Sequence, residues 1–537
     1  MTYPRMVAGA LLLSCSIFSL SATAQGVAKT KAGDERVEII VSQPENAGQP
    51  DRSLRGFFTR MKARIANFVT QALPMTRCEK WSVAKKDLER IKREAARNGV
   101  VITQLGADWQ QLMRPADELQ LDEKQRALVE RAKASKSTLG VKIMKAPPPA
   151  VLEHALTFDA KKPAGKHEPA KITVSFADNT TVTIVRTSVD IKPDMVIWRG
   201  TVEEDGGQVT FMWWANGKMT GIVQGRGRPK CIRHLGGDLY AVVEMGEDRM
   251  PQEHASMRPG NPGDPTLRDD PLVRQGDASS LKPTTAAADV EPAKPASELA
   301  KAVKKAATPA AKSAAGAKDV TIDVIVAYTA KAASNYSDVK RELIDLAIEE
   351  GNNSFRMSNL GNIKLRLVHA YETSYVEQGA HFDHVWRFAD KGDGYMDEIH
   401  GLRDRYKADV AVLVVDDPQG CGLATRVYAE ADEAFAVVHH ECAATTYSLA
   451  HEVGHLIGAR HDLSLDTVMT PFPFGHGYVN GTKWRDIMSY KESCGGCPRL
   501  PVWSSPLVKV RGEVAGTPDL DNARVIGEQA GRVAAFR

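Results

Sequence analysis

The sequence predicts an α/β (α+β) domain with a mixed sheet in the C-terminal part of the chain, preceded by a mainly β domain and a helical segment. After residue 318, strand-like stretches such as "VTIDVIVAY" alternate with helix-like stretches such as "SDVKRELIDLAIEEGNNSF", which is typical of helices packed against a sheet. Upstream, "KITVSFADNTTVTIVRTSV" and "GQVTFMWWANGKMTGIVQG" alternate apolar and polar residues around turn dipeptides, which indicates β-hairpins. The length of 537 residues also exceeds that of a typical single domain.

The helical segment is predicted from the stretch "SLRGFFTRMKARIANFVTQALP". Its apolar residues recur at helical spacing from Leu54 through Phe58, Met61 and Ile65 to Val69, with basic residues between them. Such a face either packs inside its own domain or lies on a membrane surface, and we expect it to pack.

Composition shifts divide the chain into five predicted parts. Residues 1–24 are a signal peptide, 25–149 a polar and largely helical segment, 150–250 a β-rich domain, 251–317 a flexible linker and 318–537 the C-terminal domain. The linker is rich in Pro, Ala and Lys, and such a composition cannot bury a core.

The N-terminus predicts export. Arg5 is followed by an apolar run from Met6 to Leu20 and by the small residues Ala22 to Ala24, as in a cleavable signal peptide. The run is too short for a stable membrane span, and no other run reaches about 18 apolar residues, so a secreted or periplasmic protein is expected. Lipoprotein anchoring at Cys15 is the less favoured alternative, because the apolar run continues beyond it. A net charge of +3 with 26% charged residues does not indicate nucleic acid as a partner.

Six cysteines remain after removal of the signal peptide, and an even number in an exported protein suggests disulfides. Cys421, Cys442, Cys494 and Cys497 lie in the C-terminal domain and allow three pairings, between which the sequence does not choose. Pairing of Cys421 with Cys442 and of Cys494 with Cys497 fits their proximity in sequence.

The twelve residues "HEVGHLIGARHD", from His451 to Asp462, have the spacing of a metal site. His451 and His455 lie on one face of a helix and can aim imidazole nitrogens at one point about 2 Å from each. Gly458 can adopt the left-handed conformation that ends a helix, so the chain can turn and bring His461 back to the same point. Three neutral imidazoles favour zinc with one position open to water, which is typical of a catalytic site.

The remaining residues of the motif indicate hydrolysis. Zinc lowers the pKa of a bound water toward about 7, and Glu452, next to the first ligand, can take the proton as the water attacks a carbonyl. A solvated surface helix or a structural metal clip would need neither Glu452 nor Gly458. The preceding "TTYSLA" predicts Thr445 or Thr446 as the N-cap of the helix.

Together with "WRDIMSY", in which Met488 takes the place of a Met-turn, the motif resembles the metzincin metallopeptidases. More narrowly, the chain from about residue 320 to its end resembles the reprolysin-like bacterial branch, which includes the peptidyl-Asp metallopeptidases. The resemblance implies zinc as cofactor, Glu452 as general base and Met488 beneath the metal, with these ligands: His451, His455 and His461. Some metzincins also keep a tyrosine where Tyr490 stands, although packing is the commoner role for a tyrosine.

The resemblance implies a zinc-dependent metalloendopeptidase with protein or peptide substrates, made as a zymogen. The β-rich domain resembles the propeptides of bacterial reprolysin-like enzymes, so it should inhibit the C-terminal domain in cis. An alternative is a non-catalytic surface or binding protein that retains the scaffold, which would have no need of Glu452. An aminopeptidase or deacylase with the same zinc chemistry is a third reading.

Two further expectations concern latency and specificity. Cys231 stands among basic residues that favour the thiolate, so it could occupy the open zinc position, or it could instead form a disulfide with Cys78. Resemblance to the peptidyl-Asp enzymes implies cleavage on the amino side of aspartate, which requires a cation in the receiving pocket. The candidate cations are Arg460, Lys491 and Arg499.

Overall fold

The computed structural model describes part of the chain, namely residues 35–42, 59, 61, 69–73, 75–76, 78–118, 121–161, 168–176, 180–225, 228–251, 318–379 and 381–537. The predicted signal peptide, residues 252–317 of the predicted linker and most of the apolar stripe between Leu54 and Val69 lie outside these residues. Contacts divide the chain into two compact units. The first covers residues 1–125, 142–225 and 232–242, and the second covers 126–141, 226–231 and 243–537.

A small sheet in the first unit corrects the prediction of a largely helical segment at 25–149. Its strands are β1 (Arg36–Ser42), β2 (Val69–Leu73), β3 (Cys78–Ala84) and β4 (Val101–Gln104), in the order β2-β3-β1-β4. Helix α1 (Leu88–Arg97) buries Leu88, Ile91 and Ala95 in the same core as Ile39, Val41 and Trp81. Alternate residues of β1 enter this core, so a period of two prevails there and the N-terminal region is mixed α/β.

The predicted β-rich domain is a closed barrel of nine strands, in the order β10-β11-β12-β13-β6-β5-β7-β8-β9. Trp198, Phe211 and Trp213 are fully buried in its core. The barrel begins at residue 111, so the predicted boundary at 150 falls inside it. The strands are β5 (Gln111–Pro115), β6 (Thr138–Lys145), β7 (Lys171–Ser175), β8 (Thr181–Ile191), β9 (Met195–Val202), β10 (Gln208–Trp214), β11 (Met219–Val223), β12 (Lys230–Gly236) and β13 (Leu239–Met245), accompanied by helices α2 (Glu123–Ala134) and α3 (Pro149–Thr157).

The second unit contains the predicted mixed sheet. Its strands are β14 (Val320–Thr329), β15 (Ile363–Thr373), β16 (Val410–Val415), β17 (Gly422–Ala424) and β18 (Phe435–His439). They are ordered β15-β14-β16-β18-β17, and only the edge strand β17 pairs in the antiparallel sense. The three central strands are apolar throughout most of their length because both faces are covered.

Helices and short strands complete the second unit and bring the His451 motif against the sheet. Helix α9, which carries the motif, packs on α5, α10, β17 and β18. The helices are α4 (Ala330–Ala333), α5 (Asp345–Met357), α6 (His381–Ala389), α7 (Glu398–Tyr406), α8 (Cys442–Thr445), α9 (Ser448–Ile457) and α10 (Asn522–Val533). The strands are β19 (Arg460–Asp462), β20 (His476–Gly477), β21 (Val479–Asn480), β22 (Trp484–Arg485), β23 (Ser505–Val510) and β24 (Glu513–Ala515).

Segments from the N-terminal half also belong to the second unit. Ser135 donates a hydrogen bond to the Glu441 carboxylate at 2.7 Å, and the Cys231 Sγ lies 3.3 Å from the Thr445 Oγ1. The turn after β13, Glu247–Arg249, continues into Met250 and Pro251. Within the described residues, no helix combines the length and the apolar character needed to cross a membrane.

Candidate metal centre and active site

The structure brings the three predicted metal ligands together. The Nε2 atom of His461 lies 3.1 Å from the Nε2 of His451 and 2.9 Å from the Nε2 of His455. All three side chains are at most 2% exposed. The sequence spacing therefore predicted a real convergence of three nitrogens.

The start and end of helix α9 place these histidines. The predicted cap at Thr445 or Thr446 is wrong: the helix begins at Ser448, after Tyr447 in the left-handed conformation, and has no side-chain cap. Thr446 instead donates its hydroxyl to the Cys442 carbonyl at 3.1 Å. Gly458 ends the helix with a φ of +133°, as the motif predicted.

Two backbone carbonyls fix the orientation of the imidazoles. The Nδ1 of His451 lies 2.8 Å from the Ile487 carbonyl oxygen, and the Nδ1 of His455 lies 2.9 Å from that of Ala459. Because a carbonyl only accepts, each Nδ1 carries the proton and each Nε2 presents a lone pair. Burial holds the pKa of His461 well below its usual value, and the nearby His455 and His451 add to this effect.

This set of donors fits zinc. Nitrogens at tetrahedral positions around one zinc ion, each at about 2.0–2.1 Å, are about 3.3 Å from one another, close to the observed separations. Lone pairs held this near one another repel unless a cation lies between them. Three buried imidazoles, two of them with the Nδ1 proton fixed by a carbonyl, are thus suited to hold a divalent ion.

The predicted Met-turn lies beside the helix. Met488 is fully buried, and a Cβ atom on Gly454 would lie 3.3 Å from its sulfur and overlap the ring of Trp503. The Trp503 indole is held by hydrogen bonding to Ser354 at 3.0 Å and stacks on Phe355. The absence of a side chain at Gly454 therefore allows the helix to pack closely against Met488 and Trp503. A larger residue at position 454 would prevent this packing.

Glu452 lies next to the edge strand of the sheet. Its side chain is fully buried, and any Cβ on Gly422, the first residue of β17, would overlap the Glu452 carboxylate. Space for this carboxylate thus depends on a glycine that the sequence motif does not contain. Gly422 follows Cys421, and no local signal in the sequence indicates this role for it.

Two buried aspartates hold the Met-turn, and one of them, Asp462, joins it to the His461 turn. Asp462 accepts hydrogen bonds from the Tyr490 amide at 3.1 Å and the Ser493 hydroxyl at 2.9 Å. Asp486 accepts from the Ser489 hydroxyl at 2.6 Å, and burial raises its pKa to about 6. These contacts leave the Tyr490 ring 4.3 Å from that of His461.

The cysteines pair as sequence proximity suggested. Cys421 is bonded to Cys442 and Cys494 to Cys497, with Cα separations of 5.4 and 5.5 Å. Cys78 and Cys231 are buried thiols, so the disulfide considered for them is not formed. The group of converging ligand atoms consists of the three histidines and does not include Cys231.

A basic pocket lies beside the three histidines, because Tyr490 lines it and contacts His461. The structure distinguishes between the three candidate cations. Arg460 forms a bidentate ion pair with Asp466 at 3.0 and 2.9 Å and is not part of the pocket. Lys491 and Arg499 do line it, and so does Arg485, which sequence reasoning missed. Arg485 precedes the Met-turn, but a β-bridge aligns it with Arg499. The lining residues are Glu247, Met250, Pro251, Cys421, Thr446, Arg485, Tyr490, Lys491, Glu492 and Arg499.

A second group of potential ligands lies at the end of β18. Asp416, His439 and His440 have donor atoms within 4.8 Å of one another. His440 is 3.4 Å from the Asp416 carboxylate through Nε2 and 3.0 Å from the Tyr336 hydroxyl through Nδ1. These contacts satisfy both nitrogens of His440 within the protein.

Comparison with known proteins gives the family. Residues 318–504 match metallo-peptidase family M12. A peptidyl-Asp metalloendopeptidase of Xanthomonas campestris pv. campestris is 36% identical over 59% of this chain and 67% of its own. Two proteins of the same name from strains of Stenotrophomonas maltophilia are 34% and 32% identical, over 62% and 66% of this chain and 72% and 81% of their own. The chain therefore belongs to metallo-peptidase family M12, within the reprolysin-like bacterial branch of the metzincins.

Proposed function

We propose that this metallopeptidase is a zinc-dependent endopeptidase that is exported as an inhibited precursor and cuts on the amino side of aspartate. The observation that carries the zinc assignment is the convergence of three imidazoles, in which the Nε2 of His461 lies 3.1 and 2.9 Å from the Nε2 atoms of His451 and His455. The Nδ1 atoms of His451 and His455 are bonded to carbonyls. Zinc is the ion that three neutral imidazoles favour at an open hydrolytic site.

The chain's own residues divide the work of hydrolysis. His451, His455 and His461 would hold the zinc, which when bound supplies Lewis acidity to a water and to the substrate carbonyl. Glu452 would take a proton from the attacking water and pass it to the leaving amine. Its burial beside Gly422 fixes the carboxylate in one position, and Ile487 keeps His451 in the tautomer that a ligand needs.

Inhibition by the N-terminal half is supported by the segments that it contributes to the second unit. Ser135, Cys231 and Glu247 contact Glu441, Thr445 and Arg485 respectively. We assign residues 1–24 to a signal peptide, 25–250 to the inhibitory region, 251–317 to the linker that is cut, and 318–537 to the protease. The six cysteines outside the assigned signal peptide and the two disulfides are compatible with export.

Preference for aspartate is supported by the relatives named peptidyl-Asp metalloendopeptidase and by the three cations of the pocket. A carboxylate leaves water at a high free-energy cost unless a charged donor receives it. Arg485 and Arg499 are only 3% and 6% exposed, so either can interact strongly with a substrate carboxylate.

Digestion of an unfolded substrate protein tests this function. The linker of the chain is first cut with another protease, which is then removed. The activated chain is incubated with the substrate with and without a zinc chelator, and the cleavage sites in the substrate are identified by mass spectrometry. We expect zinc-restorable cleavage before Asp and none by the Glu452→Ala variant. Cleavage that survives chelation would exclude the mechanism, and a chain that binds zinc without cleaving would support the alternative of a non-catalytic scaffold.

A further inference from the structure

The basic pocket already contains a carboxylate that comes from the N-terminal half of the chain. An oxygen of Glu247 lies 2.5 Å from a guanidinium nitrogen of Arg485, and these side chains are 12% and 3% exposed. The same oxygen accepts the backbone N–H of Arg499 at 3.0 Å. One nearly buried carboxylate is thus bound by a guanidinium and an amide, which is a strong arrangement for an anion.

The backbone that follows Glu247 is held in the same pocket. The Lys491 ammonium donates to the carbonyl oxygens of Asp248 at 3.3 Å and Met250 at 2.7 Å. Glu247–Arg249 forms a 3₁₀ turn, and Met250 and Pro251 also line the pocket. A protease holds its substrate as an extended peptide. The turn places a carboxylate in the pocket but is not extended, so it does not present a peptide bond in that form.

The pocket is next to the metal centre. Tyr490 lines the pocket and stacks obliquely on His461, with ring centroids 4.3 Å apart. Arg499 donates to the carbonyl oxygens of Thr446 and Ser489, which flank helix α9 and the Met-turn. A side chain in this pocket therefore belongs to a residue close to the bond being cut.

We propose that Glu247 is a built-in substitute for the acidic side chain of a substrate, and that Arg485 is the residue that recognises this side chain after Glu247 has left. The proposal rests on the proposed function, and it names the specificity residue and the inhibitory contact of that same site. Glu247 lies before the linker, so it leaves with the N-terminal half when the linker is cut. Arg485 then loses this partner, and because a buried guanidinium is costly without a carboxylate, a substrate aspartate takes its place. Glu247 is one methylene longer than aspartate, so the pocket should also accept glutamate.

The specificity test uses the processed enzyme and peptides that differ only in the residue after the scissile bond: Asp, Glu, Asn or Leu. Wild type should prefer Asp over Asn by about ten- to hundredfold. Arg485→Met should lower kcat/KM for the Asp peptide at least about tenfold and change the Leu peptide less than about threefold, whereas Arg485→Lys should keep part of the preference. Arg405→Met, which removes an exposed arginine of α7, is the matched control and should behave as wild type.

The latency test uses the uncut chain. Glu247→Gln keeps the shape of the side chain and removes its charge, so hydrolysis of a short Asp peptide before linker cleavage should rise about tenfold or more. Glu244→Gln is the control, because Glu244 is on the preceding strand and pairs only loosely, at 3.8 Å, with the exposed Arg228. Equal latency of the two variants would overturn the inhibitory role of Glu247.

The outcomes separate this inference from the proposed function. Zinc-dependent cleavage with an Asp to Asn ratio that Arg485→Met leaves unchanged overturns the inference alone. Absence of zinc-dependent cleavage of every peptide overturns both. Zinc content and thermal unfolding show whether Arg485→Met folds, and if it does not, the charge-retaining Arg485→Lys and the Glu247→Gln variant decide the question.

Discussion

Gly422 lies directly against Glu452, so that a single methyl group on the glycine would overlap the carboxylate that we propose as the general base. The two residues belong to the edge strand β17 and to helix α9. The position of the Glu452 carboxylate therefore depends on the sheet as well as on its own helix.

Gly422→Ala should lower kcat/KM at least about tenfold, because a displacement of about 1 Å in a catalytic group can cost two orders of magnitude. Zinc binding should persist, since no ligand is changed. The matched control is Gly401→Ala in α7, where an added Cβ meets no atom within 4 Å. Full activity in Gly422→Ala would show that Glu452 tolerates displacement and would weaken its assignment as base.

Glu452→Gln should keep zinc and fold but reduce hydrolysis at least about hundredfold, because it removes the base and leaves every ligand in place. Metal content is measured by atomic absorption and activity with the Asp peptide. His455→Ala provides the contrast, since it should lose the metal and the activity together. If Glu452→Gln cleaves at the wild-type rate, another group must take the proton.

Local spacing in the sequence was sufficient to predict the convergence of the three histidines but not their surroundings. The intervals between His451, His455, Gly458 and His461 are set by one helix and one turn, so they could be read directly. Gly422 and Arg485 could not be identified, because their roles arise from β-pairing and from contact with Glu247, which is 238 residues away in sequence. The prediction of the helix cap was wrong for a related reason. Tyr447, which precedes the helix, is buried and adopts a left-handed conformation that local spacing does not indicate.

In the N-terminal region, tertiary contacts outweighed the local pattern. Helical periodicity predicted a polar and largely helical segment, but strand β2 begins at Val69, and β1 pairs with β3 so that Ile39 lies opposite Trp81. Short strands in a charged sequence give a weak signal, and their pairing partners cannot be read from local spacing. The mixed sheet of the C-terminal domain was predictable because β14 and β15 are long, β16 is wholly apolar and clear helices separate these strands.

Removal of zinc should lower the thermal stability of the chain. A ligand present at about 100 times its Kd contributes about 2.7 kcal/mol to the free energy of unfolding, which corresponds to a fall of about 5–10 °C in Tm when it is removed. Differential scanning calorimetry with and without chelator measures this fall, and His455→Ala serves as control because a variant that binds no zinc should show no shift. An equal fall in Tm for wild type and His455→Ala would show that the chelator does not act by removing zinc from the three histidines.

The buried Asp486 should make the free energy of unfolding depend on pH. Burial is the main cause that raises its folded-state pKa to about 6, against about 3.9 when unfolded. Below about pH 4 the carboxyl is protonated in both states and costs nothing. As the pH rises through about 4 to 6, the unfolded state ionises more readily than the folded state, so stability falls, by up to about 3 kcal/mol above pH 6.

Asp486→Asn removes this titration and isolates it. The difference in the free energy of unfolding, variant minus wild type, should rise between pH 4 and pH 7, measured by urea denaturation at saturating zinc. The variant should also be less stable than wild type by an amount that does not depend on pH. Asp486 accepts hydrogen bonds from the Ser489 hydroxyl at 2.6 Å and the Ser504 amide at 3.1 Å with its two oxygens, and asparagine has only one such oxygen. Ser489→Ala, by removing a donor that lowers the pKa of Asp486, should move the transition to higher pH. If the free energies of unfolding of Asp486→Asn and wild type depend on pH in the same way, burial does not raise the pKa of Asp486.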